Sequence, residues 1–465
     1  MSILVIDRAV TFFIFLILLL VTKKTQMEIP ELLLTIIQHT LSESVKIREL
    51  QSCMRMRLVS RYFLSVVDLY VIPNVKRLSR PIINIISLEN LVKYKGLEFF
   101  DATWKPEINE EILDNLTNIK TFVLSFKQQP ILPFLKKMTN LTDLSLWRTG
   151  GIRLTNELSC LKNLTRLDLC DSKVTNSDIS ILTNLKILVS NGNPHITTDV
   201  LTSLIGITDL EMDNQAKERY CLTNYTISSL ESLRIIKDTN YSPEIKISHF
   251  INLRQLILVA VNDFQGIEKL TKLETLVIKQ PMHCMMGLSQ LTNLKCLMFE
   301  NMMHQNRIYD YHDIMGTTLT SLTQLHLDSI IIGNDTLSRM TKLKILRLNN
   351  NGQLLDTSIS QLTNLQSLHL TSSSPLSFTT LLRLQSLTSL NNSQIDFVET
   401  SITRLTSLRN LYFSMTKNFD MDLLLNLPYL DIVSLASTLD RNEVEKITKK
   451  FWKNGISFDH FHLVC

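Results

Sequence analysis

Four residues at the end of the chain are of types that chelate a metal: Asp459, His460, His462 and Cys465. His460 and His462 share a face if the segment is a strand, and two imidazoles with a thiolate make a weak zinc set. The same stretch, ISFDHFHLV, alternates as an ordinary closing strand does. Polar residues on its open side account for both histidines, so no metal or cofactor is expected. His283 and Cys284 are adjacent, a poor spacing for holding one ion. The chain has no glycine-rich phosphate loop, no G-x-S-x-G and no H-E-x-x-H. Its carboxylates are spread evenly, with no isolated pair in an apolar stretch. These residues point to binding and away from an enzyme.

Composition narrows the partner. A net charge of +4 is small for 465 residues, and no basic stripe is interleaved with aromatics, so nucleic acid is not expected. Only 11 glycines and 7% aromatic residues argue against a loop-built active site and for an aliphatic core. The seven cysteines are scattered singly: Cys53, Cys160, Cys170, Cys221, Cys284, Cys296 and Cys465. Reduced thiols in a cytoplasmic or nuclear protein are the expectation. Seven Asn-x-Ser/Thr triplets occur, three of them simply the N-L-T of a recurring phrase.

That phrase organises the chain. It reads LKNLTRLDL from Leu161, FINLRQLIL from Phe250, LTKLETLVI from Leu270, LTNLKCLMF from Leu291, MTKLKILRL from Met340, LTNLQSLHL from Leu362 and LTSLRNLYF from Leu405. The first apolar residue of each L-x-x-L-x-L core falls at Tyr94, Ile119, Leu141, Leu164, Leu185, Ile207, Leu233, Leu253, Leu273, Leu294, Leu322, Leu343, Leu365, Leu387, Leu408 and Leu430. The mean step is near 22 residues, with longer steps of 26 at Ile207–Leu233 and 28 at Leu294–Leu322. In L-x-L, two apolar side chains share one face of a short strand. One such coil cannot bury its apolar face alone, whereas a stack of coils builds a continuous core.

Period and phrase resemble the leucine-rich repeat family. The resemblance implies an α/β solenoid, a horseshoe of about 16 repeats with a parallel sheet on its concave face. At ~4.8 Å between strands that face is roughly 70 Å long. In this family it generally holds a protein partner. The outward strand positions are then the candidate contacts: Asp143, Ser145, Trp147, Arg166, Asp168, Asp209, Glu211 and Asp213 early in the array, and His326, Asp328, Arg347, Asn349, His369, Asn410 and Tyr412 late in it. The early half is acidic. Aromatics and arginines concentrate binding energy at interfaces, although any sheet face must carry polar residues somewhere. Many family members place an asparagine at the ninth position of the phrase, where it bridges coils. Here only Asn193 and Asn351 match, with Thr149, Ser172, Thr416, Thr438, Val261 or Ile330 elsewhere, so locally irregular curvature is expected.

The flanks differ. Residues 1–24 carry an apolar run from Val10 to Val21 followed by Lys23 and Lys24. The run can associate with a membrane through residues 3–22 as an anchor facing the rest of the chain to the cytosol, pack as an N-terminal segment, or act as a secretory signal. Residues 28–78 read as two helices, opened by Pro30 and closed by Pro73. Ile29-Pro30-Glu31-Leu32-Leu33 and Leu58-Val59-Ser60-Arg61-Tyr62-Phe63 resemble the two ends of an F-box. That resemblance implies docking to a Skp1-type linker of a cullin ubiquitin ligase through Ile29, Pro30, Leu32, Leu33, Ile36, Val59 and Phe63, with the repeats holding an unidentified protein target. The plainer reading is a helical cap over the first repeat, on a scaffold similar to short-repeat phosphatase regulators. Residues 79–115 form an entry coil and first weak repeat, 116–438 the array, and 439–465 a C-terminal cap. In that cap Val444, Ile447 and Phe451 share one helix face and Asn454-Gly455 ends the helix.

Overall fold

The computed structural model describes residues 77–78, 94–101, 103, 114, 116–125, 135–148, 157–213, 228–236, 245–259, 264–279, 287–300, 318–349, 356–371, 376–392, 402–414, 420–437 and 439–462. The chain divides into two units, Met1–Val123 and Leu124–Cys465.

In the first unit, strands β1 (Arg77–Leu78), β2 (Phe99–Asp101) and the first three residues of β3 (Thr121–Ser125) pair in parallel, with Leu78, Phe100 and Phe122 in one register. These positions are 22 residues apart, so the repeat period already runs through residues expected to close the F-box-like segment. Tyr94, Leu97, Phe100, Leu116, Ile119 and Phe122 are buried.

The second unit carries β4 (Asp143–Trp147), β5 (Arg166–Asp168), β6 (Ile187–Val189), β7 (Asp209–Asp213), β8 (Ser232–Ile236), β9 (Ile245–Lys246), β10 (Gln255–Val259), β11 (Phe264–Gln265), β12 (Thr275–Lys279), β13 (Cys296–Glu300), β14 (Gln324–Asp328), β15 (Ile345–Asn349), β16 (Ser367–Thr371), β17 (Ser389–Asn392), β18 (Asn410–Ser414), β19 (Ile432–Ser437) and β20 (Ser457–His462). Apart from β9 and β11, which pair with each other, each strand from β4 to β20 lies parallel to the next in the series. Strand residues alternate between buried leucines and half-exposed neighbours, as a period of two demands. Leu144, Leu167, Leu188, Leu210, Leu233, Leu256, Leu276, Leu297 and Leu325 form one buried column. Each is worth about 1.5–3 kcal/mol of burial. The chain returns through short helical turns such as Asn176–Ile179 and Asn334–Ser338, which add Ile179 and Leu337 to the core. The array ends on helix α1 (Arg441–Lys453), opened by an Asp440/Glu443 capping box and burying Phe451. Gly455 follows at φ +77°.

Register corrects two of the sequence anchors. Leu233 aligns with Leu210 and Leu256, so the anchor of that coil is Leu230 and its steps are regular. Phe100 aligns with Phe122, which moves the first anchor from Tyr94 to Leu97. The long step before Leu322 stands, since Leu297 pairs with Leu325.

A second row of asparagines ties the coils together. At six anchors the residue just before is an asparagine that donates its amide to a carbonyl of the preceding coil: Asn118 to Lys95 (2.9 Å), Asn163 to Thr139 (2.9 Å), Asn184 to Lys162 (2.9 Å), Asn252 to Ser228 (2.7 Å), Asn293 to Thr271 (2.8 Å) and Asn364 to Thr341 (2.9 Å). These are the asparagines of the repeated phrase, including the Asn163 triplet. Each bond is worth about 0.5–1.5 kcal/mol. The expected ninth-position bridge is present at Asn193, which is fully buried and donates to Ser172 Oγ (2.9 Å) and the Val174 carbonyl (3.0 Å).

Candidate functional site

The outward face of the β4–β20 ladder reads as three zones, acidic, apolar and basic. Its acidic end gathers Asp143, Asp168, Asp209 and Glu211 on β4–β7, half-buried between neighbouring strands. Arg166 lies 3.8 Å from Asp143, and Ser145 donates to Asp168 at 3.2 Å. Burial raises the Asp143 carboxyl above its ordinary value; Arg166 opposes the shift and Asp168 adds to it. Glu211 accepts from Asn191 at 2.6 Å and faces Arg234 at 3.5 Å. Trp147 sits at the end of β4 with the Arg148 guanidinium 4.6 Å from its ring centre. Asp213 is in register with Ile236; its side chain is outside the described residues.

The middle zone is apolar. Ile257, Val277 and Met298 occupy the central outward position of three successive strands, with Val259 beside them. All are half-exposed. Lys279 and Glu300 pair at 2.7 Å along its edge. No sequence expectation named these residues, because the repeat template scores only the inward leucines. The signal is present in the unbroken runs LILV, LVI and CLMF, where a half-buried strand would alternate. Cys296 borders the patch, and burial pushes its thiol up.

The third zone is basic and polar. His326, Arg347 and His369 stand side by side on β14, β15 and β16. Burial holds both imidazoles below their ordinary value, and Arg347 adds to the effect. Asn391 and Tyr412 continue the row. Over β15–β19 the face dips into a pocket of about 170 Å³ lined by Arg347, His369, Asn391, Tyr412 and Ser434, with Ile432 at one side. Asn410 also lines it, and Asp328 and Asn349 pair outside it on β14 and β15. Four of the expected contacts, Arg347, His369, Asn410 and Tyr412, therefore converge; the acidic group is a separate cluster.

The residues expected for F-box docking, Ile29 to Phe63, and the apolar run at residues 3–22 lie outside the described residues. Among those described, no helix is long and apolar enough to cross a membrane, and no group of His, Cys, Asp and Glu is arranged to hold a metal. In the closing strand His460 instead lies 3.1 Å from Ser437 Oγ.

A leucine-rich repeat protein of Leptospira interrogans superposes at a TM-score of 0.56, with 20% identity, over 80% of this chain and 97% of that one. The fold is a leucine-rich repeat solenoid. An internalin of Listeria monocytogenes gives a TM-score of 0.45 at 23% identity, over 70% of this chain and 88% of the other. No protein-family model matches the sequence, and no curated protein matches it significantly. Within the leucine-rich repeat frame, the face just described is the wall formed by the strands.

Proposed function

We propose that this leucine-rich repeat chain is a non-enzymatic protein-binding scaffold that holds its partner along the outward face of the strands. The observation that carries the reading is the apolar centre, Ile257, Val277 and Met298, set between an acidic cluster and an arginine–histidine row. Contiguous apolar surface rimmed by polar residues marks an interaction site. Opposite charges at its two ends fix the direction in which a partner lies. The wild-type chain and a Val277→Lys variant, immobilised side by side in lysate of the source organism, test it by mass spectrometry. The expected result is loss of the captured set from the variant and its retention on Ile205→Lys, a change at an exposed turn residue. Identical capture by all three proteins would overturn the reading.

The two-ended motif at Ile29–Leu33 and Leu58–Phe63 favours a finer version. In it the chain is the substrate-recognition adaptor of a Skp1–cullin-type ubiquitin ligase, working in the cytoplasm or nucleus, with residues 3–22 as a tether if they enter a membrane. The free thiols at Cys160, Cys170 and Cys296 accord with a reducing compartment. Mixing the purified chain with a Skp1-type linker should give a complex that Leu32→Asp with Phe63→Asp abolishes. No complex at high micromolar concentration would leave the scaffold reading and remove the adaptor.

A further inference from the structure

We propose that the pocket over β15–β19 receives an aspartate or glutamate side chain from an acidic segment of the bound protein, with Arg347 as its counter-charge. The inference rests on the scaffold reading and names the chemistry of its partner.

Arg347 is set apart from its equivalents. Arg166 and Arg234 project from the same face, and each has a carboxylate on the neighbouring strand, Asp143 and Glu211. Arg347 is exposed and, among the described residues, has no carboxylate within ion-pair distance. On the adjoining strands its places are taken by His326 and His369. An arginine fork presents several donors in the geometry a carboxylate accepts. The rest of the lining supplies hydroxyls and amides from Ser367, Ser389, Ser434, Asn410 and Asn391, and no acidic residue. An anion entering there meets the donors of Arg347 and the serine hydroxyls and no like charge, with the buried Asn391 Oδ1 the one unpartnered acceptor among the described lining atoms.

Size selects the form of the ligand. Small-molecule pockets span about 300–1,000 Å³, and this one holds about 170 Å³. It accommodates one side chain of a longer ligand. The segment's remaining length then has the apolar centre of the face to lie against.

The two histidines give the site a pH response. His326 faces Arg347, Glu300, Asp328 and Lys279; His369 faces Arg347 and His326. Both imidazoles are held below their ordinary value, so they are neutral at neutral pH. Acidification charges them while a partner's carboxylate, with an ordinary value near 4, stays ionised. Binding of the acidic segment therefore strengthens as pH falls below the ordinary imidazole value near 6.5, through His369 in the lining and His326 beside Arg347.

Selection of phage-displayed random linear peptides on the full chain tests this. The selected peptides are then synthesised and titrated by fluorescence anisotropy against wild type, Arg347→Ala, Arg347→Lys and Val277→Lys, each checked for fold by circular dichroism. The expected peptides carry aspartate or glutamate. They lose roughly tenfold or more in affinity, about 1.4 kcal/mol, on Arg347→Ala or on replacing the acid by its amide. Arg347→Lys restores part of the loss, and binding is tighter at the lower pH. Peptides that bind Arg347→Ala and wild type equally but lose binding to Val277→Lys would overturn this inference and leave the scaffold reading standing. Absence of any selected peptide, or binding indifferent to both positions, would overturn the scaffold reading and this inference with it.

Discussion

Leu297→Ala should lower the free energy of unfolding by about 2–5 kcal/mol, whereas Met298→Ala, one residue along the same strand, should cost under about 1 kcal/mol. The contrast follows from the pleat. Leu297 is fully buried, in register with Leu276 and Leu325 on the flanking strands. Removing its side chain leaves a void that three coils share. Stability in stacked repeats is a sum of coil and interface terms, so the loss at Leu297 weakens two interfaces at once. Met298 points the other way, into the apolar centre of the outward face, where its loss is felt by a partner. Urea titrations followed by circular dichroism separate the two. Equal costs for both substitutions would mean that the register of β13 is misassigned.

The second large effect is at a turn. Gly266 and Gly287 begin equivalent 3-10 turns in successive coils, at φ +90° and +94°. A side chain at either position costs about 1–3 kcal/mol for left-handed backbone alone. At Gly266 a Cβ would also lie 2.4 Å from Ser248 Cβ and 2.8 Å from its Cα and N. Main chain cannot rotate aside. At Gly287 the first atom met is Glu268 Cβ at 2.9 Å, with that side chain's Oε2 next at 3.5 Å. Gly266→Ala should therefore destabilise by more than Gly287→Ala, and by at least ~3 kcal/mol in total. Thermal melts of the two variants measure the order. A Gly266→Ala variant that melts with the wild type would refute the close approach to Ser248.

Much of this fold was legible because aliphatic rungs repeat with little ornament. Ile119, Leu141, Leu164, Leu185 and their successors are buried where spacing placed them. The phase slipped at two coils for a plain reason. Apolar residues three apart lead into the strands, such as Tyr94 and Leu97 before β2 or Leu230 before and Leu233 within β8, and a template can settle on either. Only pairing across the sheet decides. The step from Leu210 to Leu233 is consequently an ordinary one, while the 28-residue step into β14 is a real enlargement. The candidate site was half legible. Charged outward residues stand out against a leucine background, so the Asp/Glu cluster and the His326–Arg347–His369 row were expected. The apolar centre was not, since Ile257, Val277 and Met298 look like core to a pattern that tracks hydrophobicity without asking which way it faces. The asparagine row was visible as a recurrent letter, yet its role depends on a carbonyl roughly 22 residues away, which one coil read alone does not show.

Those side-chain ties have a direction. At the entrance to the strands the donor belongs to the later coil and the acceptor to the earlier one: Asn184 reaches back to Lys162, Asn293 to Thr271, and the main-chain amides of Lys186 and Lys295 reach back to Thr165 and Glu274. A chain emerging from the ribosome thus carries, at its newest docked coil, a row of carbonyls that water can hydrate until the next turn is synthesised. Each arriving segment brings its own donors to that row. At the strand exits the sense reverses, the amides of Leu169 and Ser190 donating forward to the Val189 and Glu211 carbonyls, so each new coil is stitched to the last from both sides.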